Sequence, residues 1–275
     1  MSLKDKIIIT GITDEGLVRD HNEDSIASNA DLGLLVLADG MGGHKGGEVA
    51  SAIAVDSILQ DLSKSLPLVT PGNTDDKTGY SLESMLIEKA IKDANLKIYN
   101  AAQNNSNYEG MGTTVVVLLL YDNRITIAHV GDSRLYRMRD RILEQMTRDH
   151  TLLQELVDRG FYTRKEARES LNKNLVTRAV GVNPIVDVDL LEDIALVGDN
   201  YLLCSDGLTD MITDDLIEDI QLNYHDNLNK MNKELIKQAK DHGGKDNVSV
   251  MLAQVIKEFP ANSGWFSKFF DIFSD

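Results

Sequence analysis

The sequence predicts an α+β fold in which antiparallel strands and helices occupy separate layers. Short apolar runs rich in β-branched residues cover residues 32–38, 113–121, 125–130, 201–204 and 248–255, and their length and bounding turn residues favour strands. Asp122-Asn123 between the second and third of these runs is a short turn, which makes that pair an antiparallel hairpin. Long amphipathic stretches lie apart from the strands, at 48–66 and 81–103. Segregated helices and hairpin-linked strands argue for layers rather than a doubly wound parallel sheet.

Each element follows from its residues. In 48–66 the apolar positions Val49, Ile53, Ile58, Leu62 and Leu66 fall on one helical face. In 81–103 Leu82, Met85, Leu86, Ala90, Ala94 and Ile98 do the same, with Ser81 placed as an N-cap. Residues 67–79 between them form a polar loop with Pro, Gly and Asn. Further helices are expected over 151–158, 214–221 and 228–240. No internal repeat is present, and the composition changes at 262–275. There Trp265, Phe269, Ile272 and Phe273 fall at helical spacing, as in an amphipathic helix. Docking onto the main domain is the preferred reading of this tail over a partner or membrane-surface anchor, because Lys268 is its only base.

Composition excludes several classes of function. With 275 residues, 42% hydrophobic and 26% charged, the chain can build a full core without covalent staples. The single cysteine, Cys204, excludes a disulfide framework and a cysteine zinc site. A net charge of −16 from 44 acids and 28 bases repels nucleic acid and anionic membrane. The amino-terminal MSLKDKIIIT is too short in apolar length for a signal peptide. No run approaches the roughly 18 apolar residues of a transmembrane segment, so a cytoplasmic protein is expected.

Acids beside glycine or a polar turn recur at strand ends: Asn22-Glu23-Asp24, Ala38-Asp39-Gly40, Gly131-Asp132-Ser133-Arg134, Ser205-Asp206-Gly207 and Lys245-Asp246-Asn247. Singly, each reads as a turn or strand-terminating residue. On strands that share a core, all five can converge on one edge as a carboxylate cage. Oxygen-only donors of this kind suit Mg²⁺ or Mn²⁺ rather than zinc.

The blocks Arg19-Asp20-His21-Asn22-Glu23-Asp24, Asp39-Gly40-Met41-Gly42-Gly43-His44, Gly110-Met111-Gly112-Thr113-Thr114, Gly131-Asp132-Ser133-Arg134, Ser205-Asp206-Gly207-Leu208 and Asp246-Asn247 occur in one order. In that order they resemble the metal-dependent protein phosphatases of the 2C family in their bacterial form, over about residues 7–256. The resemblance implies a four-layer α-β-β-α sandwich of two antiparallel sheets flanked by helices, with the metals at one end. It implies hydrolysis of phosphoserine and phosphothreonine on proteins, with two Mn²⁺ or Mg²⁺ ions and a third, weaker one. Asp39 resembles the acid bridging two ions and Gly40 the residue lending its carbonyl. Asp206 and Asp246 resemble further ligands of the first ion, and Glu23 a ligand of the second, with Asp24 in support. Asp132 resembles a ligand of the third, and Arg19 the arginine that grips the phosphate. The implied partners are phosphorylated proteins and a cognate serine/threonine kinase, and the implied state is a monomer.

Animal members place a histidine directly after the Asp-Gly pair, where this chain has Met41. His44 is the nearest histidine and the candidate general acid; the alternative is a loop histidine packed against the following helix. Residues 148–180 resemble the family's flap beside the active site, with His150 a structural residue at its base. The expected organisation is a catalytic domain over 1–258, flap included, and an aromatic tail over 259–275.

Other chemistries fail on their own requirements. The arginine of a cysteine phosphatase would stand at Asp210, six residues after Cys204, and Asp187-Val188-Asp189 lacks the threonine of an aspartyl-nucleophile hydrolase. Residues 40–47 lack the Gly-Lys-Ser/Thr end of a P-loop, and no Gly-x-Ser-x-Gly elbow occurs. Two alternatives remain: a phosphatase-like binding module without activity, and a hydrolase of small phosphate esters. The first is weakened because Arg19, Asp39, Asp206 and Asp246 are all intact.

Overall fold

The computed structural model describes residues 2–43, 45–163, 166 and 175–259. Its strands are β1 (Ile7–Asp14), β2 (Asp24–Asn29), β3 (Leu34–Met41), β4 (Gly112–Thr113), β5 (Val115–Tyr121), β6 (Arg124–Val130), β7 (Arg134–Arg139), β8 (Ile142–Gln145), β9 (Asp189–Ile194), β10 (Asn200–Cys204) and β11 (Val248–Val255). One sheet runs β1-β11-β10-β7-β8 and the other β2-β3-β5-β6-β9, with β4 added to β3. Every pairing is antiparallel.

The continuous apolar runs follow from burial on both faces. Along β3, Leu34, Val36 and Ala38 face a helical layer while Leu35 and Leu37 face the other sheet. β5 repeats this, with Val115, Val117 and Leu119 on the helical side and Val116, Leu118 and Leu120 between the sheets. In the first sheet, Tyr201 and Leu203 point inward and Leu202 and Cys204 outward, towards a second helical layer. The period of two thus assigns alternate residues to alternate layers. Each fully buried Leu, Ile or Val contributes about 1.5–3 kcal/mol. Four layers result, as the resemblance implied, with Cys204 wholly buried in the core.

The helices over the second sheet are α1 (Gly46–Ser65) and α2 (Leu82–Asn104). Ser81 caps α2 as expected, its Oγ accepting from Ser84 N at 3.1 Å. Beyond α3 (Leu152–Asp158), the first sheet is covered by α4 (Asp206–Thr209), α5 (Asp214–Asn223) and α6 (Leu228–Asp241). The β5–β6 turn is the expected hairpin, with Asp122 and Asn123 at φ 46 and 54, the left-handed values of a primed turn.

β1, β2, β7, β8 and β9 do not announce themselves as apolar runs. β7 is RLYRMR, and its arginines are neutralised laterally: Arg137 pairs with Glu144 and Asp193, and Arg139 with Asp199. Phe259 is 3% exposed and packs between the sheets, its N–H donating to Asn123 Oδ1 at 2.7 Å. The tail beyond it, 262–275, lies outside the described residues. No helix among the described residues is long and apolar enough to cross a membrane.

Candidate active site

Strand direction gathers the predicted acids. Asp39 sits near the end of β3 and pairs in register with Asp24 at the start of β2. Asp132 follows β6, Asp206 follows β10, and Asp246 precedes β11 beside β10. Antiparallel neighbours put a start next to an end, so these residues share one end of the sandwich. Ser205 Oγ ties the two sheets together there, donating to Asp24 Oδ2 at 2.9 Å.

Backbone contacts hold each carboxylate. Asp39 N donates to Thr114 Oγ1 at 3.1 Å. Its carbonyl accepts from Thr114 N and from Thr113 Oγ1, both at 2.8 Å. Gly40 N donates to Glu23 O at 3.1 Å, and a Cβ on Gly40 would lie 2.1 Å from Gly47 O. Only glycine allows β3 to run this close to the start of α1. Glu23 N donates to Asn247 Oδ1 at 2.8 Å, and Glu23 O accepts from Ser51 Oγ at 2.5 Å. Half-exposed Arg19 lies over the acids, its Nη2 donating to Asp246 Oδ2 at 2.6 Å.

The electrostatics are those of like charges in a poorly hydrated place. Burial, then the Asp24, Asp206, Asp132 and Asp246 carboxylates, hold Asp39 well above the usual carboxylate range. Burial with Asp132, Asp210 and Asp246 does the same to Asp206. Asp24 is pushed up to about 6 by burial, and Asp132 to about 6 by burial and Asp149. Asp24 Oδ1 is buried without a hydrogen-bond partner. Carboxylates this costly to ionise call for a cation. An all-oxygen set with an orphaned acceptor fits Mg²⁺ or Mn²⁺.

No three of these acids bring ligand atoms within 4.8 Å of one another; among the described residues His129, His150 and Asp189 do. That trio is already joined internally. His129 Nε2 bonds to Arg148 O at 2.9 Å, and His150 Nδ1 accepts from Gly131 N at 3.0 Å. His150 Nε2 reaches Asp189 Oδ2 at 3.2 Å, while Arg178 Nη1 holds Asp189 Oδ1 at 2.5 Å. With His129 Nε2 donating to a carbonyl, the His150 Nδ1 lone pair taken by Gly131 N–H and a guanidinium on Asp189, the trio is a hydrogen-bonded brace and a poor cation site.

His44 lies outside the described residues. The described histidine beside the acids is His21, whose Nε2 is 3.3 Å from Glu23 Oε1. Sequence reasoning missed Asn247, whose Nδ2 donates to Glu15 O and His21 O at 3.1 and 3.0 Å. Together with its bond to Glu23 N it fixes the loop that carries Arg19. The Asp246-Asn247 pair was its only signal. Ser205, Ser51 and Thr114 support the acids without any pattern that marks them.

Fold and site together present two packed antiparallel sheets with a cluster of buried carboxylates at one end and Arg19 beside them. The protein phosphatase 2C family model matches residues 17–253, and the chain belongs to that family. The chain is 36% identical over 245 residues to the Listeria monocytogenes serine/threonine phosphatase stp, covering 88% of this chain and 93% of that protein. The catalytic domain of the serine/threonine phosphatase PstP in complex with two manganese ions superposes with a TM-score of 0.78 at 36% identity, covering 92% of this chain and 99% of that one. Staphylococcus aureus Stp1 gives 0.79 at 36% identity, covering 94% and 98%.

Proposed function

We propose that the protein is a metal-dependent protein serine/threonine phosphatase acting in the cytoplasm, where it reverses a serine/threonine kinase. The observation that carries this reading is the gathering of Asp39, Asp206, Asp246, Glu23, Asp24 and Asp132 at one end of the sandwich, beneath Arg19. Asp39, the Gly40 carbonyl, Asp206 and Asp246 would hold one divalent cation. Asp39 and Glu23 would hold a second with Asp24 in support, and Asp132 a third. Such a pair of ions supplies a water of lowered pKa and neutralises charge on the phosphoryl oxygens during an in-line displacement.

The protein's own groups do the rest. Arg19 spends Nη2 on Asp246, which aims the planar guanidinium while its other N–H groups remain for the phosphate dianion. The bond to Asp246 also couples phosphate capture to a metal acid. Thr113 and Thr114 hold the Asp39 backbone, so its carboxylate need not reorganise as the substrate reacts. His44 is the candidate to protonate the leaving oxygen. Residues 1–258 form the catalytic domain in this reading, 148–180 a flap that selects substrates, and 259–275 an appended tail rooted by Phe259 between the sheets. The chain would act as a monomer.

The test is hydrolysis of a phosphothreonine peptide with and without Mn²⁺, by the wild type and by Asp39→Asn. Turnover that needs Mn²⁺ and disappears in the variant is expected. Folded wild type that turns over no substrate at any Mn²⁺ concentration would defeat the reading.

A further inference from the structure

The Gly131–Ser133 turn between β6 and β7 carries Asp132, and the Gly131 peptide is held from outside those strands. His150 holds it from nineteen residues away. Its Nδ1 accepts from Gly131 N at 3.0 Å, and its own N–H donates to Gly131 O at 3.0 Å. Both polar groups of Gly131 are thereby held by one residue. Gly131 has φ +108, and a Cβ there would lie 2.6 Å from the Thr114 side chain. Next door, Ser133 Oγ and Thr114 Oγ1 are 2.7 Å apart. The turn is therefore seated on the residue that also holds Asp39.

His150 is itself braced on every side. Its ring stacks on His129, with centroids 4.7 Å apart and planes 17° from parallel. Nε2 faces Asp189 Oδ2 and Arg178 Nη1, each at 3.2 Å; with Gly131 N donating to Nδ1, the lone pair is on Nδ1 and the proton on Nε2, towards Asp189. Burial and the neighbouring His129 lower the His150 pKa, consistent with a neutral acceptor. Asp149 grips Arg134 on the far side of the turn through bonds of 2.9, 3.0 and 2.6 Å. His150 O accepts from Thr177 N at 2.8 Å, and Leu152 N donates to Leu175 O at 3.0 Å. The two ends of the 148–180 excursion thus meet at the residue that clamps Gly131.

We propose that His150 is a positioning residue for Asp132: its Nδ1 and backbone N–H set the Gly131 peptide, and through it the carboxylate, and they couple that carboxylate to the base of the excursion. This rests on the proposed role of Asp132 as a cation ligand. A change at the excursion then alters how the weakest cation is held without touching Asp39, Asp206 or Asp246.

The experiment is a double-mutant cycle between His150 and Asp132, with His150→Asn and His150→Gln as controls. Asn places an acceptor close to the Nδ1 position, whereas Gln carries its amide further out, away from Gly131. Mn²⁺ binding is followed by electron paramagnetic resonance without substrate, and kcat on a phosphothreonine peptide. His150→Phe and His150→Gln are expected to weaken the weakest Mn²⁺ site about tenfold, as Asp132→Asn does, with His150→Asn staying within about threefold of wild type. The His150→Phe/Asp132→Asn double variant should turn over no more slowly than Asp132→Asn alone. If the Phe variant does not fold, the Gln variant takes its place in the cycle. Effects that multiply, or an Asn variant as impaired as Phe while equally folded, would overturn the proposal. If Asp132→Asn itself leaves binding and turnover unchanged, the role of Asp132 fails, on a measurement that does not involve His150, and the inference falls with it.

Discussion

Asp39→Asn is expected to stabilise the chelator-treated protein while abolishing turnover, the reverse of what a buried substitution usually does. Asp24 and Asp132 are each pushed up to about 6 from 3.8. Each therefore carries roughly 3 kcal/mol of unfavourable free energy when ionised at neutral pH. Burial is the first cause in both, so repulsion accounts for the smaller share. Asp39 faces Asp24, Asp206, Asp132 and Asp246 and is itself held well above the usual range. An asparagine amide keeps its size and removes its charge from that set. Relief of the repulsion alone is worth roughly 1–2 kcal/mol. For 275 residues that corresponds to about 2–4 °C in Tm. The assay is a thermal melt at pH 7 in EDTA, repeated with Mn²⁺ at about a hundred times its dissociation constant. Wild type should gain about 2.7 kcal/mol from the ion, and the variant far less. A variant that melts lower than wild type in EDTA, or gains as much from Mn²⁺, would refute the reasoning.

The same carboxylates set a pH dependence. A raised pKa means that the folded state binds more protons than the unfolded chain between 3.8 and about 6. In EDTA, stability should therefore fall as pH rises through that window; urea midpoints at pH 4.5 and 6 would check the order. Arg19→Lys keeps the charge that faces Asp246 but loses the planar fork. A 10- to 100-fold fall in kcat/KM on a phosphothreonine peptide is expected, roughly 1.4–2.7 kcal/mol, and wild-type kinetics would remove Arg19 from phosphate binding. Leu118→Ala empties a wholly buried position between the sheets. It should cost about 2–5 kcal/mol in urea denaturation, and a loss below about 1 kcal/mol would mean that the two sheets close over the gap.

How much of this was legible in the sequence depended on what each residue contacts. β3, β5, β6, β10 and β11 were legible because apolar layers cover both faces, so most residues in them are apolar. The capped α2 was legible because Ser81 and a one-sided stripe are local patterns. β7 to β9 were not: their arginines and acids look solvated in sequence and are neutralised across strands, as Arg137 is by Glu144 and Asp193. The acids could be named from their turns, but their convergence is a property of strand direction, which no spacing encodes. The brace at His150 lies one step further from view. Its partners at Gly131 are a backbone N–H and C=O, which every residue but proline offers, so the contact places no demand on residue type. The glycine there answers to a different constraint, the approach of Thr114. A side chain that acts on backbone leaves its signature only on itself, which is why His150 could be placed at the base of a flap and not assigned a task.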